Sequence, residues 1–246
     1  MNCGAWYKIA LGYMLHATGF MIIIDYNPKT QKQIIHACAL ALKKGKLVAY
    51  PTDTSYGLAC DTTNVAAVNK LYRLKGRNFN KPVHVVVASK KQAATLTRWN
   101  NSAEKLSRKF WPGALTLVLP LKTKNRSILR LTSKTGFLGL RMPKNKIARD
   151  LAVAFKRPIT ATSANVSGKP DTYHAAEILQ QFRRRKTRPD IILNTGILPK
   201  RKPSTIVKIT PPSPPLLRGG MNAVVEILRQ GPITKKQIEQ VISSKL

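Results

Sequence analysis

The sequence predicts an α/β or α+β fold, a twisted mixed β-sheet with helices packed on it. Three observations predict it. Short apolar, β-branched runs alternate with segments of helical period. Many of the helical segments follow an Asn or Ser placed to cap a first turn. The connections between elements vary from short to long, which argues against a simple doubly wound parallel sheet.

In order, residues 22–25 read as a short apolar strand. Asn27-Pro28 offers a cap and a proline at the first helical position. The helix that follows carries Ile34, Ile35, Cys38, Ala41 and Leu42, and Gly45 stops it. Residues 47–50 form a buried strand that ends at Pro51. Asn64 caps a helix with Val65, Val68, Leu71 and Tyr72. Residues 83–88 are β-branched and strand-like. Ser89 caps a helix toward Trp99, and Ser102 another toward Trp111. Residues 115–119 and 137–142 read as strands. Asn145 starts a helix with Ile147, Leu151 and Phe155. A strand over 158–162 and a helix over 173–182 follow, the latter leading into Arg183-Arg184-Arg185-Lys186. Residues 191–193 and 205–209 are further strands. Pro211, Pro212, Pro214 and Pro215 force a stiff extended connector. Two closing helices are expected at 223–229 and 234–243.

The chain has 246 residues, room for one or two domains with a sizeable core. Its 43% hydrophobic and 22% charged residues are ordinary for a globular protein and exclude wholesale disorder. The charge is not ordinary: 43 Lys and Arg against 10 Asp and Glu give a net charge of +33. Such a field attracts polyanions, RNA among them, in a salt-dependent way. Three cysteines without a C-x-x-C spacing indicate neither a disulfide framework nor a zinc site, which fits the reducing cytoplasm. Residues 1–20 lack the charged start and cleavage site of a signal peptide and are too interrupted for a membrane span. They read as a leader or a mis-assigned start outside the fold, with the folded domain over 21–246.

Several chemistries drop out. There is no Gly-rich dinucleotide turn and no phosphate-binding P-loop. His16, His36, His84 and His174 lack metal-ligand spacing. Carboxylates are too few to favour paired-acid hydrolysis, and Ser163 lacks the G-x-S-x-G setting of a hydrolase. What remains is cationic positioning of phosphates. Lys75, Arg77 and Lys81 flank a glycine-containing loop and can converge on a phosphate chain. Arg141, at a strand end, can clamp a carboxylate. Hydroxyl and amide groups follow two other strands, at Thr52-Asp53-Thr54-Ser55 and at Thr162-Ser163-Ala164-Asn165. Arg218 adds a cation after the proline segment.

The ordered series resembles the YrdC-like family of threonylcarbamoyl-adenylate synthases. The matching pieces are Tyr50-Pro51-Thr52-Asp53-Thr54-Ser55-Tyr56-Gly57-Leu58, Lys75-Gly76-Arg77, Lys81-Pro82, Trp111-Pro112-Gly113, Leu140-Arg141-Met142-Pro143, Thr162-Ser163-Ala164-Asn165-Val166-Ser167-Gly168 and Ser204-Thr205-Ile206-Val207. Arg218 and the closing Ile227-Leu228-Arg229-Gln230-Gly231 fit too, and the match spans roughly residues 21–246.

The resemblance implies a single α/β domain with a basic concave face, in the short form without a C-terminal extension. It implies a nucleotidyltransferase that condenses L-threonine, bicarbonate and ATP, with Mg²⁺ accompanying the nucleotide. The product would pass to a separate transferase that modifies tRNA. By the resemblance, Thr54, Arg141 and Ala161 meet threonine. Lys75, Arg77, Lys81, Ser163, Asn165 and Arg218 hold the nucleotide, with Lys75, Arg77, Ser163 and Asn165 closest to the chemistry. Asp53 is a candidate outer partner for Mg²⁺, with no protein metal ligand expected. Some relatives carry a histidine near the position of Val86. His84, two residues away, is expected on the other strand face. Two rival readings are a non-catalytic tRNA- or rRNA-binding module, motivated by the charge, and a carbamoyl-transfer domain of the hydrogenase-maturation type. The scattered cysteines argue against the second rival.

Overall fold

The structure, a computed structural model, describes residues 15–18, 21–211 and 223–244. Among the described residues, eleven strands form one mixed sheet. They are β1 (Leu15–Thr18), β2 (Met21–Asp25), β3 (Val48–Pro51), β4 (Tyr56–Ala59), β5 (His84–Val86), β6 (Leu115–Pro120), β7 (Phe137–Arg141), β8 (Ile159–Ser163), β9 (Ile191–Asn194), β10 (Thr205–Thr210) and β11 (Val224–Arg229). Their spatial order is β1-β2-β9-β3-β4-β8-β5-β7-β6-β10-β11. Parallel pairs (β2/β9, β3/β9, β5/β7, β6/β10) mingle with antiparallel ones, as the varied connections predict. The helices are α1 (Gln31–Lys43), α2 (Val65–Lys75), α3 (Lys90–Leu96), α4 (Asn101–Phe110), α5 (Arg126–Leu131), α6 (Lys146–Phe155), α7 (Ala175–Phe182) and α8 (Lys235–Ser243).

Side chains alternate across the sheet with period two. Leu47 and Ala49 belong to one core cluster, Val48 and Tyr50 to the other; Val85 and Val87 part from Val86 in the same way. One face is covered by α1 and α6, through Ile34, Cys38, Leu42, Ile147, Leu151 and Phe155. The opposite cluster takes apolar residues from the remaining helices. Each fully buried Leu or Ile contributes about 1.5–3 kcal/mol.

Several caps form as the sequence predicts. Asn64, Ser89 and Asn145 accept from the backbone N–H of Ala67, Gln92 and Ala148. Asn27 caps a short 3-10 turn, Pro28–Thr30, that precedes α1. Four expectations change. The cap of α4 is Asn100, which accepts from Ala103, and not Ser102. The segment expected as a helix at 223–229 is β11, antiparallel to β10. Two valines open it, and β10 offers an otherwise unpaired edge, so pairing prevails over local helical spacing. The strand β4 and the helix α5 were not legible as separate elements. Leu15–Thr18, within the segment expected outside the fold, add a strand to β2. Of the expected proline connector, Pro212, Pro214 and Pro215 lie outside the described residues.

Register places the site. Gly57 opposes Ser163, Ala161 opposes His84, Val86 opposes Arg141, and Arg141 opposes Thr116. Residues far apart in sequence thereby share one face along a diagonal across β4, β8, β5, β7 and β6.

Candidate active site

A cavity of about 240 Å³ opens over this diagonal, on the side to which Tyr50 and Val86 point. Of the residues expected at the site, Thr54, Arg77, Arg141, Ala161 and Ser163 line it. Lys75 and Asn165 lie behind the wall. Lys81 is exposed, and its side chain is not on the wall. Arg218 lies outside the described residues.

Lys75, the last residue of α2, is 2% exposed. Its Nζ donates to the Ser163 carbonyl, and at 2.9 Å to both the carbonyl and Oδ1 of Asn165. An ammonium has three N–H donors and no acceptor, so all three are committed to the turn after β8. The Asn165 amide must therefore present Oδ1 to the lysine, which turns its Nδ2 toward the Lys169 carbonyl. Ser163 Oγ donates to the same Oδ1 at 2.7 Å. Burial, helped by Arg77, lowers the Lys75 pKa to about 7, while Asp171 opposes the shift.

Arg77 reaches the wall because α2 stops at Gly76, whose φ of 59° lies in the left-handed region that favours glycine. The backbone N–H groups of Gly76 and Arg77 then satisfy the Arg73 and Tyr72 carbonyls. The Arg77 guanidinium donates to the carbonyls of Lys81 (3.3 Å) and Pro82 (2.8 Å). Lys81 thus contributes a backbone oxygen that holds Arg77.

Arg141, 8% exposed, donates to Asp53 Oδ1 at 2.7 Å, to Thr54 Oγ1 at 3.3 Å and to the Gly113 carbonyl at 3.4 Å. Asp53, considered above as a Mg²⁺ partner, forms a largely buried ion pair instead. Thr52 donates its proton to the Ser55 carbonyl, so Thr54 is the donor in the 3.1 Å Thr52–Thr54 bond. The chain of donors from Arg141 thus ends inside the protein.

His84 and Val86 both line the cavity. The expected opposite facing is wrong, because residues two apart on a strand share a face. The imidazole packs on Gly139, where a Cβ would stand 2.3 Å from the His84 ring; glycine is what makes room for it. Burial, then the charges of Arg229, Arg77 and Arg141, lower the His84 pKa to about 4, so the ring is neutral near pH 7.

Arg229, at the end of β11, was not expected here as a site residue. Its motif was visible, but reading 223–229 as a helix hid its direction. It joins Arg77 and Arg141 on the cavity wall. Among the described residues, Asp171 is the carboxylate on that wall. Three guanidiniums against one carboxylate, with hydroxyls between them, suit an anion with several oxygens. Among the described residues no group of three or more His, Cys, Asp or Glu could hold a metal ion. No helix among them is long and apolar enough to cross a membrane.

Comparison with known proteins agrees with this architecture. A family model, Sua5_yciO_yrdC, described as "Telomere recombination", matches residues 40–220. A threonylcarbamoyl-AMP synthase of Pyrococcus abyssi is 35% identical over 208 residues, 84% of this chain and 59% of that protein. A putative threonylcarbamoyl-AMP synthase of Methanocaldococcus jannaschii is 32% identical over 84% of this chain and 95% of its own length. The crystal structure of P. abyssi Sua5 complexed with L-threonine superposes with a TM-score of 0.78 at 32% identity, covering 91% of this chain and 61% of that one. The chain thus spans about three fifths of the P. abyssi protein. By the matched domain, the sheet and the ordered motifs, the chain belongs to the Sua5/YciO/YrdC family.

Proposed function

We propose that the chain is an L-threonylcarbamoyladenylate synthase, a nucleotidyltransferase that uses L-threonine, bicarbonate and ATP. The observation that carries this reading is the convergence of Arg77, Arg141 and Arg229 on one cavity rimmed by hydroxyls. The kinship with synthases, one of them solved with L-threonine, supports the choice of substrates.

The threonine amine combines with bicarbonate to give a carbamate and water. A carbamate oxygen bonds to the α-phosphorus of ATP, the bond to the β-phosphate bridging oxygen breaks, and pyrophosphate leaves with the electron pair. Negative charge grows on the leaving group, so Arg77 stabilises the transition state more than the ground state. Arg141 and Thr54, with Ala161 beneath, position the threonine, and Ser163 faces the nucleotide. Lys75 and Asn165 act from behind, by holding the Ser163 turn in place. Lys81 and Arg218 remain proposed nucleotide contacts. Mg²⁺ would neutralise phosphate charge; with Asp53 engaged by Arg141, it would be held mainly by the phosphates, with Asp171 the carboxylate on the wall. In this reading the protein acts in the cytoplasm, and its product passes to a separate transferase that modifies tRNA.

The test is mass spectrometry of products from ATP, threonine and labelled bicarbonate. Label in a threonylcarbamoyl-AMP product, with pyrophosphate release dependent on threonine, is the expected result. ATP turnover indifferent to threonine refutes the substrate assignment. Arg77→Ala is expected to lower turnover about 10²-fold, the scale of losing a charge-stabilising donor, and Lys75→Ala about 10²-fold as well, by letting the Ser163 turn shift out of place. Near-normal rates in both would remove their roles. The net charge of +33 favours one rival, a non-catalytic RNA-binding module. Steeply salt-dependent RNA binding without ATP binding would select it.

A further inference from the structure

The loop from Arg77 to Pro82 is seated away from the cavity, on an aromatic pair. Tyr72 lies in α2, 1% exposed, and its place in the sequence reads only as an apolar position of that helix. Its ring stacks on the ring of Phe79, with centroids 4.5 Å apart and planes 24° from parallel. Arg130 of α5 stands over the same Phe79 ring, its guanidinium carbon 5.4 Å from the centroid. Arg130 is fixed in turn by a 2.7 Å bond to Asn69 Oδ1. Ser133 Oγ donates to the Phe79 carbonyl at 2.8 Å. The middle of the loop is thus held by side chains from α2 and from the end of α5.

The phenol adds a directed bond. Tyr72 O–H donates to the Lys81 carbonyl at 3.1 Å, the same oxygen that accepts from Arg77 Nε at 3.3 Å. A carbonyl oxygen has two lone pairs, so Arg77 and Tyr72 between them occupy both. The next carbonyl, that of Pro82, takes the Arg77 NH2 group at 2.8 Å. The proline ring fixes φ, one of the two torsions between these carbonyls, so a grip on the first steadies the second. A free arginine gives up much rotamer freedom when a ligand orders it. An arginine already held at two carbonyls does not meet that cost again on binding.

We propose that Tyr72 is a positioning residue for Arg77: its ring seats Phe79 and its hydroxyl fixes the Lys81 carbonyl, so that the guanidinium stands at the cavity wall before the nucleotide arrives. The inference rests on the adenylate-forming reading above. It adds a residue outside the cavity through which the contact to the phosphates is set. Tyr72 touches the loop, and Arg77 touches the ligand.

Tyr72→Phe tests it, because the change keeps the ring and its stack and removes one oxygen. Pyrophosphate release by the full chain is measured with labelled ATP, threonine and bicarbonate, so that slow variants stay measurable. The set is wild type, Tyr72→Phe, Arg77→Ala and the double variant, with thermal melts alongside. Tyr72→Phe is expected to lower kcat/KM for ATP about fivefold, the scale of one neutral hydrogen bond, with the KM for threonine unchanged. In the Arg77→Ala background the same change is expected to cost nothing further, because the bond acts through Arg77. Phe79→Leu, at an exposed position, is expected to follow the same pattern in both backgrounds. A Tyr72→Phe loss that persists undiminished beside Arg77→Ala would overturn the proposal, leaving Tyr72 a residue of the fold alone. So would a wild-type kcat/KM in Tyr72→Phe, or a KM for threonine that rises in step. A wild-type chain that releases no pyrophosphate with threonine and bicarbonate would refute the synthase reading and this inference with it, whereas an active wild type with additive losses refutes the inference alone.

Discussion

His84 shows how a single side chain records the field of the site. Enclosed by the sheet and faced by Arg229, Arg77 and Arg141, it holds a pKa of about 4 against an ordinary 6.5. Between those values the unfolded chain binds a proton that the folded chain does not. Stability contributed by the neutral ring is therefore complete above about pH 6.5 and is lost as pH falls toward 4. Thermal melts of wild type and His84→Gln are expected to converge as the pH drops through this window. A constant gap would mean that His84 is not held neutral. The residue was legible as a histidine near a motif, but its direction was misread; the two-residue period of a strand puts it on the face of Val86, and the register of β5 against β7 and β8 sets that face beside Gly139, Arg141 and Ala161. Lys75 makes the same point. Its loop position reads as a phosphate ligand, yet burial and three oxygens turn its ammonium inward.

At the scale of elements, the turn from α2 to β5 decides where Arg77 points. Gly76 occupies the left-handed region, which a side chain enters at about 1–2 kcal/mol. Gly76→Ala is expected to lower the melting temperature by a few degrees, and to raise the KM for ATP because the loop that aims Arg77 shifts. An unchanged KM would separate the turn from the site. The caps of α2, α3 and α6 were readable, because such signals act within one turn of their own sequence. The strand β11 was not, since Val224–Arg229 becomes a strand only by pairing with β10. Arg229 was hidden by the same error.

For the whole molecule, a net charge of +33 places the cavity in a broadly positive field. Such a field draws in anions and weakens as salt screens it. Filter binding of tRNA is expected to lose about 10³-fold or more in affinity between 50 and 200 mM salt if six or more phosphates are neutralised. A flat response would confine the charge to solubility. Threonine binding, made inside a small cavity by short contacts, is expected to change far less over the same range.

The sequence by itself determined the mixed α/β class, most of the helix starts, the cationic inventory and the ordered motifs that mark the family. These follow from periodicity, capping and residue type, all of which act locally. The tertiary structure decided which of those residues meet. Sheet order brings β4, β8, β5, β7 and β6 side by side although they lie far apart in the chain, and a one-residue slip of register would turn each row outward. Burial then decided what each cation does: Lys75 braces a turn, Arg141 pairs with Asp53, and Arg77 and Arg229 face the cavity.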